Sequence, residues 1–334
     1  MLINVTVYIR EECQLCEQVI RELNQIQEKI PHHLVLIDIE KDSSLKDQFM
    51  LDIPVVESGP YRLKYPFSTK ELEMTLAASA DRQTHLEKIG SDNYQRIKNR
   101  SNQINRSDRI SFWISRHYLF ILNMVVLLYI GIPFLAPIFK NVGADSAADI
   151  IYRVYKPLCH QWSFRSWFMF GDQAFYPHEE ANVLGVRTFE EVTGVSDLDD
   201  PNRIFAREFV GNDILGYKVA LCERDVAIWG AILLFGLLFA LSRRKIKGLH
   251  WILWIGLGLF PVGLDGFSQV VSQLNIPIIQ EFLPYRESTP FLRTVTGFLF
   301  GFTTAWFGYP SIEEAMSDTR RALAKKFAVV KSKS

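Results

Sequence analysis

Cys13 and Cys16, in Cys13-Gln14-Leu15-Cys16, follow an alternating strand-like run and open an amphipathic segment. At a strand-to-helix junction the first sulfur meets the unpaired N–H groups of the helix, where the positive end of the dipole favours thiolate. A thiolate attacks disulfides, and a second thiol three residues on resolves the mixed product. The spacing therefore suits thiol–disulfide exchange, with Cys13 attacking and Cys16 resolving. The competing structural reading is a thiol pair packed at a helix start.

A second group of reactive side chains gathers at the ends of apolar stretches: Cys222, Glu223, Arg224 and Asp225 before one, Asp265, Gly266 and Gln269 after another, and Arg293 before a third. Ionisable groups there are costly to desolvate, so they pair with one another or line a wet cavity. Asp265 and Gln269, four apart, share a helix face. Two polar runs are expected to join them, Cys159-His160-Gln161 with Arg165-Ser166, and Arg286-Glu287-Ser288-Thr289. Three readings compete for Cys159, His160 and Cys222: a disulfide between the cysteines, a metal site (zinc) completed by Asp265 or His178, or buried structural residues. Asp265, Arg224 and Arg293 read either as a structural ion-pair network or as a substrate site.

The elements that must position these residues fall into two parts. Residues 1–80 alternate strands (3–9, 34–39, 54–57, 61–65) with helices (14–29, 42–50, 69–79), and Ser58-Gly59-Pro60 forms a hairpin turn. Residues 81–116 are too polar for a core and read as a partly helical linker. Apolar helices are then expected at 118–139, 221–241, 249–268 and 290–308, the first long enough for a hydrocarbon core of about 30 Å. The fold class is thus an α/β domain followed by an all-α membrane domain (117–310) of about four transmembrane helices, with a basic tail at 311–334. Its 48% hydrophobic content places the chain at the membrane-rich end of ordinary composition. The 37 basic and 37 acidic residues cancel, so global charge points to no nucleic-acid partner. Four cysteines are too few for a disulfide-built scaffold.

Lys98, Arg100, Arg106, Arg109 and Arg116 precede the first apolar helix, Arg243-Arg244-Lys245 follows the second, and Arg320, Arg321, Lys325 and Lys326 follow the fourth. Basic flanks stay inside, so the expectation is a multi-pass protein of the cell membrane with both termini cytoplasmic and residues 141–220 and 269–289 outside. The first ten residues read as a strand and not as a secretory signal. The insert 175–211 reads as a surface loop or small subdomain, and Trp162-Ser163-Phe164 and Trp167-Phe168-Met169-Phe170 as segments that dock on the membrane interface. His250 reads as an interfacial anchor, and His32, His33 and His85 as surface residues.

Two resemblances add to this reading. With Cys13, Cys16 and Ile53-Pro54-Val55-Val56, the first 80 residues resemble the small glutaredoxin-like domain family of thioredoxin fold. The resemblance implies a cis Pro54 beside the thiols, where it shapes a groove for a thiol or disulfide protein partner, and it also implies Asp52 near the site. Where glutathione-using glutaredoxins carry Gly-Gly and an acidic residue before the last helix, this chain has Phe67-Ser68-Thr69-Lys70, which argues against glutathione as reductant. From residue 140 onward the chain is similar to an uncharacterised family of polytopic membrane proteins. The matching residues are Cys159, His160, Gln161, Arg165, Ser166, Cys222, Arg224, Asp265, Gly266, Gln269, Arg286, Glu287, Ser288, Thr289, Arg293, Thr296 and Gly297. That resemblance marks a site without specifying a reaction. The expected function is a membrane-tethered thiol–disulfide oxidoreductase. The alternative is a membrane protein that binds or modifies a lipid or small anionic ligand through Arg224, Arg286, Arg293 and Asp265, with a regulatory redox domain.

Overall fold

The computed structural model describes residues 2–41, 43–90, 103–195, 202–274 and 281–332. Parts of the expected linker (91–102), of the insert (196–201) and of the segment 269–289 (275–280) lie outside the described residues. The chain forms two compact units, residues 1–117 with 314–334, and residues 118–313.

In the first unit the order is β1 (Ile3–Ile9), α1 (Gln14–Ile26), β2 (His32–Asp38), α2 (Ser43–Phe49), β3 (Val55–Ser58), β4 (Tyr61–Lys64) and α3 (Thr69–Ile89). The sheet runs β2-β1-β3-β4, with β2 parallel to β1 and the other pairs antiparallel. Alternation along β1 decides both cores: Ile3, Val5 and Val7 pack on Val19, Leu23 and Ile26 of α1 and on Leu72 and Leu76 of α3, while Tyr8 joins Val35, Ile37, Leu45, Phe49 and Val55 on the opposite face. Ala328 and Val329 pack against that opposite face, and Lys325 pairs with the buried Glu57 at 2.7 Å. The segment expected to be a basic tail is therefore helical and docked on this sheet.

A capping box between Ser68 and Glu71 starts α3, which runs ten residues beyond the expected end at 79. His32, expected on the surface, is 2% exposed. It opens β2 opposite Ile3, and its Nδ1 lies 2.7 Å from the Ile30 carbonyl oxygen.

The remaining elements are α4 (Arg106–Asn141), α5 (Asp145–Tyr155), β5 (Ser166–Met169), α6 (Phe189–Thr193), α7 (Asn202–Glu208), β6 (Gly211–Asn212), β7 (Gly216–Cys222), α8 (Glu223–Leu241), α9 (Trp251–Ser272) and α10 (Pro290–Lys331). Helices α4, α8 and α9 are long and apolar enough to cross a membrane. The expected fourth span lies within α10 and falls short of that measure, because Arg293, Thr294, Thr296, Thr303, Thr304 and the glycines Gly297, Gly301 and Gly308 dilute its apolar stretch. His250, expected as an interfacial anchor, caps α9 by accepting the Ile252 N–H at 3.3 Å.

The all-α expectation holds for the apolar helices but not for the segment between α5 and α8, which builds a three-stranded antiparallel sheet in the order β5-β7-β6. The insert forms a small subdomain around Phe164, Phe168, Tyr176, Phe189, Ala206 and Leu215. Phe164 and Phe168 are thus buried in this core and take no part in the expected docking on a membrane interface, whereas Phe170 is half exposed. Gly216 has φ +76°, and a Cβ there would lie 2.3 Å from the Met169 carbonyl oxygen, so close strand approach demands glycine.

Lys218 on β7 is 1% exposed. Its Nζ donates to the carbonyls of Gln161 and Arg207, each at 2.7 Å, and to Ser163 Oγ at 3.3 Å. Burial pushes its ammonium down to about 7. The folded chain then binds fewer protons than the unfolded chain from about pH 7 up to the ordinary lysine range, so this group makes stability rise with pH across that window and leaves it flat below. Thermal unfolding of the native chain and Lys218→Met should show the native protein gaining on the variant as pH is raised above 7. A pH-independent difference would contradict the assignment.

Candidate functional site

The first candidate site forms where β1 hands over to α1. Cys13 is the N-cap of α1 in extended conformation, and Cys16 lies in its first turn, its N–H donating to Cys13 Sγ at 3.2 Å. The two sulfurs are bonded, with Cα atoms 5.2 Å apart. Cys16 is buried at 2% exposure, while Cys13 is half-buried. Of the two, Cys13 is the sulfur a partner can reach. The Ile53-Pro54 peptide is cis, and Pro54 directly precedes Val55, which pairs with Tyr8 near the end of β1. That register puts Pro54 at the sheet end from which the cysteine turn departs. Its carbonyl accepts the Tyr65 N–H at 3.3 Å. Asp52 pairs with Lys64 at 2.7 Å.

The second candidate site is a buried polar network in the other unit, built from α8, α9, α10 and the segment entering β5. Glu287 is its hub. It accepts from Arg165 Nε at 2.5 Å and Nη2 at 2.7 Å, from Gln269 at 2.7 Å and Gln273 at 3.0 Å, and from Arg293. Arg293 also donates to Glu223 at 3.3 Å. Asp265 is a second hub, accepting from Arg286 and Ser288, both at 2.8 Å, and from Arg224. Arg286 further donates to Ser268. The face shared by Asp265 and Gln269 thus carries one hub and one hydrogen-bond donor to the other.

Close helix packing makes this convergence geometrically feasible. Gly297 and Gly301 on α10 face α8: a Cβ on Gly297 would lie 2.8 Å from the Arg224 carbonyl oxygen, and one on Gly301 would lie 2.1 Å from that of Ile228. This small-residue spacing is a helix-pairing signal that the sequence reading passed over.

Strand register explains the rest. Ser166 lies opposite Cys222, which brings the Cys159 to Ser166 run to the start of α8, and the Cys222 N–H donates to Cys159 Sγ at 3.3 Å. Both cysteines are free thiols. A hydrogen bond from the Cys222 thiol, with backbone N–H groups of Gln161 and Cys222, holds the Cys159 thiol below its ordinary range against the opposing effect of burial. Gln161 is a structural bracket whose amide nitrogen donates to the Tyr152 carbonyl at 3.0 Å and the Ala220 carbonyl at 3.2 Å.

His160 does not join the cysteines. It is exposed, with its ring 5.2 Å from that of Trp162. The two alternatives for the completing ligand are also engaged elsewhere, His178 with Glu190 at 3.2 Å and Asp265 with its arginines. Asp225 takes that place: its carboxylate and the two Sγ atoms all lie within 4.8 Å of one another. Glu223 was named from the sequence among the polar residues at the start of α8, but Gln273 of the network, and the buried Lys218 outside it, were not. Nothing local in the sequence marks Gln273 or Lys218.

Residues 4–77 match the family model described as glutaredoxin-like domain (DUF836), and residues 209–307 match the one described as predicted membrane protein (DUF2085). The chain is 25% identical over 206 residues to the uncharacterized protein MJ1492 of Methanocaldococcus jannaschii, an alignment that covers 59% of this chain and 93% of that protein. No solved structure matches the chain.

Removing one partner from a buried ion pair leaves an uncompensated charge and costs about 3–5 kcal/mol. Glu287→Ala strands Arg165, leaves Arg293 only its longer contact with Glu223, and is expected to destabilise the membrane domain by about that amount. Gly301→Ala should also destabilise it, by forcing α8 from α10. Thermal unfolding in detergent micelles or nanodiscs checks both. A shift within error of zero for Glu287→Ala would show that the network carries no stability.

Proposed function

Because the chain joins a glutaredoxin-like domain to a domain of the predicted membrane protein family DUF2085, we propose that it is a membrane-tethered thiol–disulfide oxidoreductase. The observation that carries this reading is the bonded Cys13–Cys16 pair at the N-terminus of α1, with the half-buried Cys13 outermost and a cis proline at the same sheet end. In the reduced domain the Cys13 thiolate attacks one sulfur of a partner disulfide, forming a mixed disulfide and releasing the other partner sulfur as a thiol. Cys16 then attacks Cys13 Sγ, releasing the second partner thiol and leaving the Cys13–Cys16 disulfide. The partner is oxidised protein thiol, and the departure at Phe67-Ser68-Thr69-Lys70 argues against glutathione as the donor that resets the pair. Basic flanks around the start of α4 and through the end of α10 support a cell-membrane protein with both termini in the cytoplasm, an orientation in which the redox domain would face a reducing compartment.

A second reading concerns the membrane domain. Glu223 Oε1 and Arg224 Nε are buried without a hydrogen-bond partner among the described residues, in a network where the guanidinium groups of Arg165, Arg224, Arg286 and Arg293 outnumber the carboxylates of Glu223, Asp265 and Glu287. Such a site favours a small anion or an anionic lipid headgroup.

The primary reading is tested with the full chain in nanodiscs, using a small-molecule disulfide as substrate and dithiothreitol as donor. Cys13→Ser is expected to abolish turnover, and Cys16→Ser, reduced and then mixed with the disulfide after dithiothreitol is removed, to accumulate a mixed disulfide on Cys13. Turnover unchanged in Cys13→Ser would overturn the nucleophile assignment.

A further inference from the structure

We propose that Cys159, Cys222 and Asp225 form a zinc site at the N-terminal end of α8, separate from the thiol pair of the redox domain. The three ligand atoms all lie within 4.8 Å of one another. A tetrahedral zinc with Zn–S near 2.3 Å and Zn–O near 2.1 Å places its ligand atoms roughly 3.5–3.8 Å apart, so small side-chain rotations close the site. Its construction is local on one side and long-range on the other. Cys222 is the N-cap of α8 and Asp225 stands in the first helical turn, a spacing that turns both side chains over the helix end. Cys159 arrives from the end of α5, held where its sulfur accepts the Cys222 N–H.

The donor set selects the metal. Two thiolates and one carboxylate suit a borderline-soft divalent ion and exclude calcium and magnesium, which require oxygen ligands. Zinc with this set carries one net negative charge, which the helix N-terminus favours. A backbone N–H bonded to the Cys159 sulfur supplies the outer contact that orients a thiolate ligand. Cys159 is buried, while Cys222 and Asp225 are partly exposed. The fourth position therefore faces the exposed side, the arrangement of a zinc that binds water or a ligand. His160 has no part in it.

The test uses the full chain in nanodiscs under reducing conditions, in a Cys13→Ser/Cys16→Ser background that removes the competing thiol pair. Elemental analysis should find about one zinc per chain, as a three-ligand site requires. Cobalt in its place should show thiolate-to-cobalt charge transfer of two-sulfur intensity, a readout that needs no substitution in the site. Cys159→Ser is expected to abolish zinc retention, Asp225→Asn to weaken binding about tenfold or more, and His160→Ala to leave it unchanged. Absence of zinc and of the cobalt band with both thiols reduced would overturn the site. Loss of zinc in His160→Ala with retention in Asp225→Asn would overturn the ligand assignment.

Discussion

The membrane domain depends on one constraint: charge placed among apolar helices must be neutralised within the protein. Glu287, 4% exposed, meets that constraint by accepting from Arg165, Arg293, Gln269 and Gln273. Those donors come from three separate stretches of chain, so one carboxylate ties the entry to β5, the end of α9 and the start of α10 to a common point. Asp265 does the same for α8, α9 and the segment before α10 through Arg224, Arg286 and Ser288. Such a network brings little net stability over well-packed apolar residues. Its demand for a complete set of partners instead singles out one register among the many that apolar helices could adopt.

Much of this was legible in the residues. The α/β order follows from period-two alternation and turn residues, which act locally, the thiol pair from its spacing, and the place of Pro54 beside it from the glutaredoxin-like resemblance. The polar cluster was legible for a different reason: an ionisable group next to an apolar stretch has few places to go, so Arg224, Asp265, Gln269 and Arg293 announced that they must meet. What escaped was tertiary. The small sheet pairs Ser166 with Cys222 across 56 residues, a register that no local pattern specifies. His160 sits between Cys159 and Gln161 and looked like a ligand, but the turn that buries its neighbours points it outward; Gln161 has φ +55°. Asp225 gained its place beside the thiols only from the handedness of the first turn of α8. The close packing of Gly297 and Gly301 was missed because the apolar run was read for length and not for its small-residue face.

The chain thus carries two sulfur pairs in contrasting settings. Cys13 and Cys16 share one turn at a helix start and differ in exposure, as an attacking and a resolving thiol should. Cys159 and Cys222 come from distant positions, remain unbonded, and have a carboxylate within reach. The same element, a thiol at a helix N-terminus, suits thiol–disulfide exchange where its neighbour is a second thiol on the same turn. It suits metal binding where the neighbours are a buried thiol and an aspartate.

The central claim is that Cys13 and Cys16 act as one two-electron couple. The most direct measurement equilibrates membranes holding the full chain against thiol–disulfide buffers of graded potential, then alkylates differentially and quantifies all four cysteines by mass spectrometry. The account predicts that Cys13 and Cys16 pass together from alkylated to bridged along a single two-electron curve. Cysteines that stay reduced at every potential, or that oxidise independently of one another, would contradict it.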